Sequence, residues 1–153
     1  MKYSEKGEWE KAKQHYLIIK GIYPESETIN YELGNVYMNL KDYQNALACF
    51  KIAEGHQKKP STDLLKNIGL CYINTGNRSE ALLYFKNTLE KSPNDPDANF
   101  YLGEDMVKNK KYDEAAKYFQ RIPTPESFGQ KLADYWKEIE AAVLGELAKE
   151  SAQ

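Results

Sequence analysis

The chain is poor in the residues that carry most catalytic and metal chemistry. Its 153 residues include only two cysteines and two histidines. Cys49 and Cys71 stand far apart in apolar-patterned stretches, so they read as two small buried thiols and not as a disulfide framework. His15 and His56 have no cysteine or second histidine at ligand spacing, so no zinc site is expected, nor any other metal or cofactor. Phosphate-cradling, dinucleotide, nucleophile-elbow and zinc-protease motifs are all missing. No hydrophobic run approaches the length of a membrane span, and Met1-Lys2-Tyr3-Ser4-Glu5-Lys6 is too polar for a secretory apolar region. Net charge is small as well. With 21 basic and 23 acidic side chains the formal balance is −2, which excludes a strongly basic nucleic-acid binder. Lys58-Lys59 and Lys108, Lys110-Lys111 fall at turns and read as helix-end charge.

Tyrosine, by contrast, is abundant: 12 residues against 5 phenylalanines. A tyrosine has an apolar ring and a polar tip, so it suits half-buried surfaces better than a dry core. The hydrophobic share of 41% and charged share of 29% fit a soluble globular chain with one ordinary core.

The tyrosines belong to an internal repeat. Leu33-Gly34, Ile68-Gly69 and Leu102-Gly103 are spaced by 35 and 34 residues. Three residues after each glycine stand Tyr37, Tyr72 and Met106; nine further on come Ala46, Ala81 and Ala115, then Phe50, Phe85 and Phe119. Tyr3, Ala12, Tyr16 and Pro24 continue the register backwards. This pattern resembles the tetratricopeptide repeat, W-x2-L-G-x2-Y…A-x3-F…P, over most of the chain. The resemblance implies an all-α fold, an α-solenoid of antiparallel helix pairs (a superhelix) closed by a C-terminal capping helix.

A single domain of residues 1–153 is expected, with repeats at about 1–26, 27–60, 61–95 and 96–125 and the capping helix at about 126–150. First helices are predicted near 27–40, 62–75 and 96–109, and second helices near 43–56, 78–91 and 112–122. Glycine within a helix costs about 1 kcal/mol against alanine, so its recurrence calls for a packing reason, namely close helix crossing. Two departures stand out. Asn30, Leu65 and Asn99 replace the tryptophan, and the closing proline is delayed to Pro60 in the second copy, which predicts a longer loop there.

The ends differ from the middle. Tyr3 already occupies a slot late in a first helix, followed by a second helix carrying Trp9, Ala12, Tyr16 and Ile19. That start leaves an apolar face to be covered, either by a longer array from which the chain is cut, the favoured reading, or by another chain. Phe128, Leu132, Tyr135, Trp136, Ile139, Val143 and Leu147 recur at steps of three and four, the face of a lid on the last pair.

The resemblance places the concave side on the first helices. Register assigns to it Tyr31, Asn35, Met38 and Asn39, then Lys66, Asn67, Leu70 and Asn74, then Phe100, Tyr101, Glu104 and Lys108. Asparagine offers a donor and an acceptor to the backbone of an extended segment, and tyrosine offers ring area at little rotamer cost. A peptide or protein partner is therefore expected. The clamp that holds chaperone C-terminal carboxylates in some relatives uses Lys-x3-Asn, Asn and Lys-x3-Arg. Here Tyr31-x3-Asn35, Asn67 and Asp97-x3-Tyr101 keep both asparagines but none of the cations, so a chaperone tail is not the expected ligand. Carboxylates such as Glu32, Asp63 and Glu104 specify no reaction without a metal, histidine or nucleophile, so the chain reads as no enzyme. The leading function is a non-catalytic interaction module or scaffold, and the alternative is self-assembly of copies through the exposed N-terminal end of the array. Unpaired cysteines point to the cytoplasm.

Overall fold

The structure is a computed structural model that describes the backbone of residues 3–153 and the side chains from Glu5 onward. The slot assigned to Tyr3 and the polar reading of Met1 and Lys2 lie outside the described side chains. Among the described residues all regular structure is helical: α1 (Tyr3–Ile22), α2 (Glu27–Asn39), α3 (Tyr43–His56), α4 (Thr62–Asn74), α5 (Arg78–Lys91), α6 (Pro96–Lys108), α7 (Tyr112–Gln120), a short 3-10 turn (Pro125–Phe128) and α8 (Gly129–Ser151). The helices fall where the repeat predicts them, within two residues at each boundary from α2 to α7.

Local chemistry explains the boundaries. Ser26, Asp42, Ser61 and Asp95 stand at N-caps, and each accepts from the backbone N–H three residues on, at 3.4, 3.3, 3.2 and 3.0 Å. At the turn within each pair, Lys41, Gly76 and Lys110 take positive φ of 59°, 82° and 59°. The next N–H then returns to the carbonyl of Tyr37, Tyr72 or Met106 at 2.9, 2.8 and 2.8 Å, which satisfies an otherwise orphaned helix-end acceptor. The delayed proline has its expected effect: residues 57–61 link α3 to α4, whereas 23–26 and 92–95 suffice at the other two junctions.

The first copy departs from the expected hairpin. No turn separates Tyr3 from Trp9; α1 is one continuous helix. Gly7 occupies the register of Lys41 and Lys110, yet it stays helical, with nothing within 4 Å of where its Cβ would stand. A turn there would give up helical hydrogen bonds with no packed partner helix among the described residues to compensate.

The contacts divide the chain into two compact units, Met1–Tyr84 and Phe85–Gln153, with the division inside α5. In the first, Ala46, Phe50, Ala53, Leu64, Ile68 and Cys71 form the core, flanked by Tyr31, Tyr37, Tyr43, Tyr72 and Tyr84. The close crossing of α2 and α3 depends on Gly34, where a Cβ would meet the Phe50 ring at 2.5 Å. Gly103 faces Phe119 in the same way within the second unit. There Phe100, Val107, Ala115, Phe119, Ile122, Leu132 and Ile139 form the core. Thus α8 acts as the expected lid through Leu132, Tyr135, Trp136 and Ile139. Its apolar face then runs on past the packing, leaving Val143 and Leu147 at 40% and 55% exposure.

Candidate partner-binding site

The twelve residues expected on the concave side fall into two groups, eight in the first unit and four in the second. Asn35 on α2 and Asn67 on α4 form the centre of the first group. The Asn67 Nδ2 donates to Asn35 Oδ1 at 3.2 Å. That bond uses one donor of Asn67 and one lone pair of Asn35. The NH2 group of Asn35 and the carbonyl of Asn67 stay available, so a donor and an acceptor stand side by side on neighbouring helices. Both residues are half-buried, so they are held in place without being sealed off.

Around this pair the other side chains have structural duties of their own. Tyr31 is half-buried, its ring tilted against Phe50 at 5.9 Å between centroids. Met38 packs on the α2–α3 core. Asn39 Nδ2 donates to the Asn35 carbonyl at 2.9 Å, and Asn74 Nδ2 to the Leu70 carbonyl at 2.8 Å. Both amides are exposed and help close the last turn of their helices. Lys66 and Leu70 are half-buried beside Asn67 in sequence.

The second group is corrected by the structure. Phe100 and Glu104 were expected on an open face; they are 4% and 1% exposed. Phe100 is stacked on Phe128 at 4.4 Å and 11°, and Lys131 Nζ lies 5.7 Å from its centroid. Glu104 accepts from Tyr135 Oη at 2.5 Å and pairs with Lys131 Nζ at 2.9 Å and Lys108 Nζ at 3.5 Å. The lid therefore covers this part of α6. Tyr101 is half-buried and stacks on Phe85 at 5.1 Å and 8°, while Lys108 is exposed. Lys131 was missed as a partner of α6, and Tyr135 was read for its ring and not its hydroxyl, because the helix was read only for its apolar stripe.

Tyr84, which register leaves without a slot, is also explained. Its hydroxyl donates to Glu54 at 2.8 Å and accepts from Lys51 at 2.7 Å, and its ring tilts against Tyr72 at 5.7 Å. Cys49 and Cys71 are free and buried. Burial pushes the Cys71 thiol up to about 12, and raises that of Cys49 against the opposing effect of Lys20. Neither is a poised nucleophile. Among the described residues no cluster of acidic, histidine or cysteine side chains could hold a metal, and no helix is long and apolar enough to cross a membrane.

Comparison with known proteins agrees with this picture. Sequence profiles of the tetratricopeptide repeat match residues 72–127 and 28–53. No curated protein matches the chain. Among solved structures, MamA aligns with TM-score 0.66 and 22% identity, over 84% of this chain and 75% of that one. MamA 41-end from Desulfovibrio magneticus RS-1 gives 0.67 and 17%, over 82% and 71%. YrrB, described as a TPR protein with an unusual peptide-binding site, gives 0.70 and 23%, over 97% and 75%.

Proposed function

The chain belongs to the tetratricopeptide repeat family, and from that premise we propose that it captures an extended peptide across Asn35 and Asn67. The fold is an all-α solenoid of helix pairs, and the family makes the chain a protein–protein interaction module. Its work is binding without catalysis. The observation that carries the peptide reading is the adjacent donor and acceptor left by the Asn67–Asn35 bond. A peptide group in an extended segment presents the complementary carbonyl and N–H. Met38 and Leu70 supply apolar contact, Lys66 and the exposed amides of Asn39 and Asn74 line the margin, and Tyr31 holds the floor against Phe50. The peptide-binding site ascribed to YrrB supports this use of the fold. Two free thiols favour a cytoplasmic setting.

Peptides selected from a random display library on the wild-type chain provide the probe. Asn35→Ala with Asn67→Ala should weaken them by about tenfold, since two hydrogen bonds of about 1 kcal/mol each are lost and partly replaced by water. Circular dichroism should be unchanged. Equal affinity in the double variant would remove the assignment.

A further inference from the structure

Within the first unit the second helix α3 is covered on both sides, by α2 and by α4. On α3 the residues Ala46, Cys49, Phe50 and Ala53 are all buried, with Gly34 of α2 against Phe50. The register equivalents on α1 are Ala12, His15, Tyr16 and Ile19. Ala12 and Tyr16 are half-buried, and His15 and Ile19 are exposed. Beside them Ile18 and Ile22 are 68% and 65% exposed. Thus α1 has the second-helix role, packed on α2, and among the described residues no first helix lies on its other side.

The other end of the chain carries the reverse. A first helix is marked by four positions on one face: Asn30, Leu33, Gly34 and Tyr37 in α2, and Asn99, Leu102, Gly103 and Met106 in α6. The same spacing recurs in α8 as Ala141, Leu144, Gly145 and Ala148. In α2 and α6 these faces are buried or half-buried. In α8 all four residues are exposed, Leu144 at 66%, and nothing lies within 4 Å of where a Cβ of Gly145 would stand. Residues 137–151 carry four glutamates against two lysines, and residues 9–23 carry three lysines against one glutamate.

We propose that the C-terminal half of α8 in one copy docks antiparallel on α1 of a second copy, completing a helix pair between chains with Gly145 against Tyr16. The occupant of the α1 face is a second copy because this same sequence supplies the missing face, its glycine and the opposite charge. Both surfaces are used once in each contact, so the association is heterologous and adds copies head to tail. It goes beyond the peptide reading and is independent of Asn35 and Asn67.

Sedimentation velocity on the whole chain, from low to high micromolar, tests this. Wild type should show an average mass that climbs with concentration. Ile19→Glu removes the acceptor and Leu144→Glu the donor; both sites are exposed, and circular dichroism should confirm folding. Each variant alone should stay monomeric. Their equimolar mixture should form dimers and nothing larger, because one intact acceptor meets one intact donor. A wild type that is monomeric throughout would overturn the proposal. So would a mixture that stays monomeric, or association that survives Leu144→Glu but not Ile19→Glu, which would mean α1 pairs with itself.

Discussion

Asn30 and Asn99 stand where the repeat usually has tryptophan, and both are fully buried. Each directs Nδ2 at two carbonyls of the preceding loop: Pro24 and Ser26 at 2.9 and 2.8 Å, Pro93 and Asp95 at 2.9 Å each. In both loops the N-cap follows the proline by two residues. At the third copy Ser61 follows Pro60 directly, and the slot holds apolar Leu65 instead. The loop geometry thus selects the residue. Asn99→Ala removes the side-chain donor to the Pro93 and Asp95 carbonyls, leaving Asp95 the backbone N–H of residue 99, and should cost about 1–2 kcal/mol, read as a lower urea midpoint at unchanged m-value. Gly34→Ala drives a methyl into the Phe50 ring and should cost about 1–3 kcal/mol. Adding Phe50→Leu should restore part of the loss, and a double-mutant cycle measures the coupling. The Cys71 thiol is held above its ordinary value by burial, so the folded state retains that proton more tightly than the unfolded one. Its contribution to stability is therefore complete below about pH 9 and lost as pH climbs toward 12. Thiol reagents at neutral pH should modify Cys49 and Cys71 only after unfolding.

Helix existence and boundaries in the middle of the chain were legible because several signals coincide there: capping residues, the turn register of Lys41, Gly76 and Lys110, and the glycine–phenylalanine contacts. The ends were harder to read. Register put Tyr3 late in one helix and Trp9 in the next, but a turn between them forms only where two helices pack against each other, and sequence spacing does not report that. Phe100 and Glu104 were misplaced for a related reason. Their register is that of an open face, and whether it is open depends on what the lid brings over it. The lid itself was visible as an apolar stripe, whereas its polar attachment was not. Tyr135→Phe removes the donor to the buried Glu104 carboxylate and should cost about 2 kcal/mol. Hydrogen exchange should show the loss as faster opening of α8. At the turns, lysine with positive φ is strained, so Lys41→Gly should gain up to about 1 kcal/mol, seen as a higher melting temperature.

For the whole chain, a formal charge of −2 conceals a small excess of lysine over residues 9–23 and of glutamate over residues 137–151. Raising monovalent salt from about 0.1 M to about 1 M shortens the Debye length from about 10 Å to about 3 Å, so head-to-tail association should weaken over that range in sedimentation runs. Peptide capture by Asn35 and Asn67 relies on neutral groups and should change far less. The bonds made by Asn30 and Asn99 also matter to anyone recombining repeats. The proline, the N-cap two residues later and the buried asparagine are inherited as one cassette, Pro24 to Asn30 or Pro93 to Asn99. A crossover inside it would pair one loop with the slot residue of another and remove the side-chain donor from its carbonyls. A crossover at the Lys41, Gly76 or Lys110 turn, where the link is the same backbone bond each time, separates no such pair.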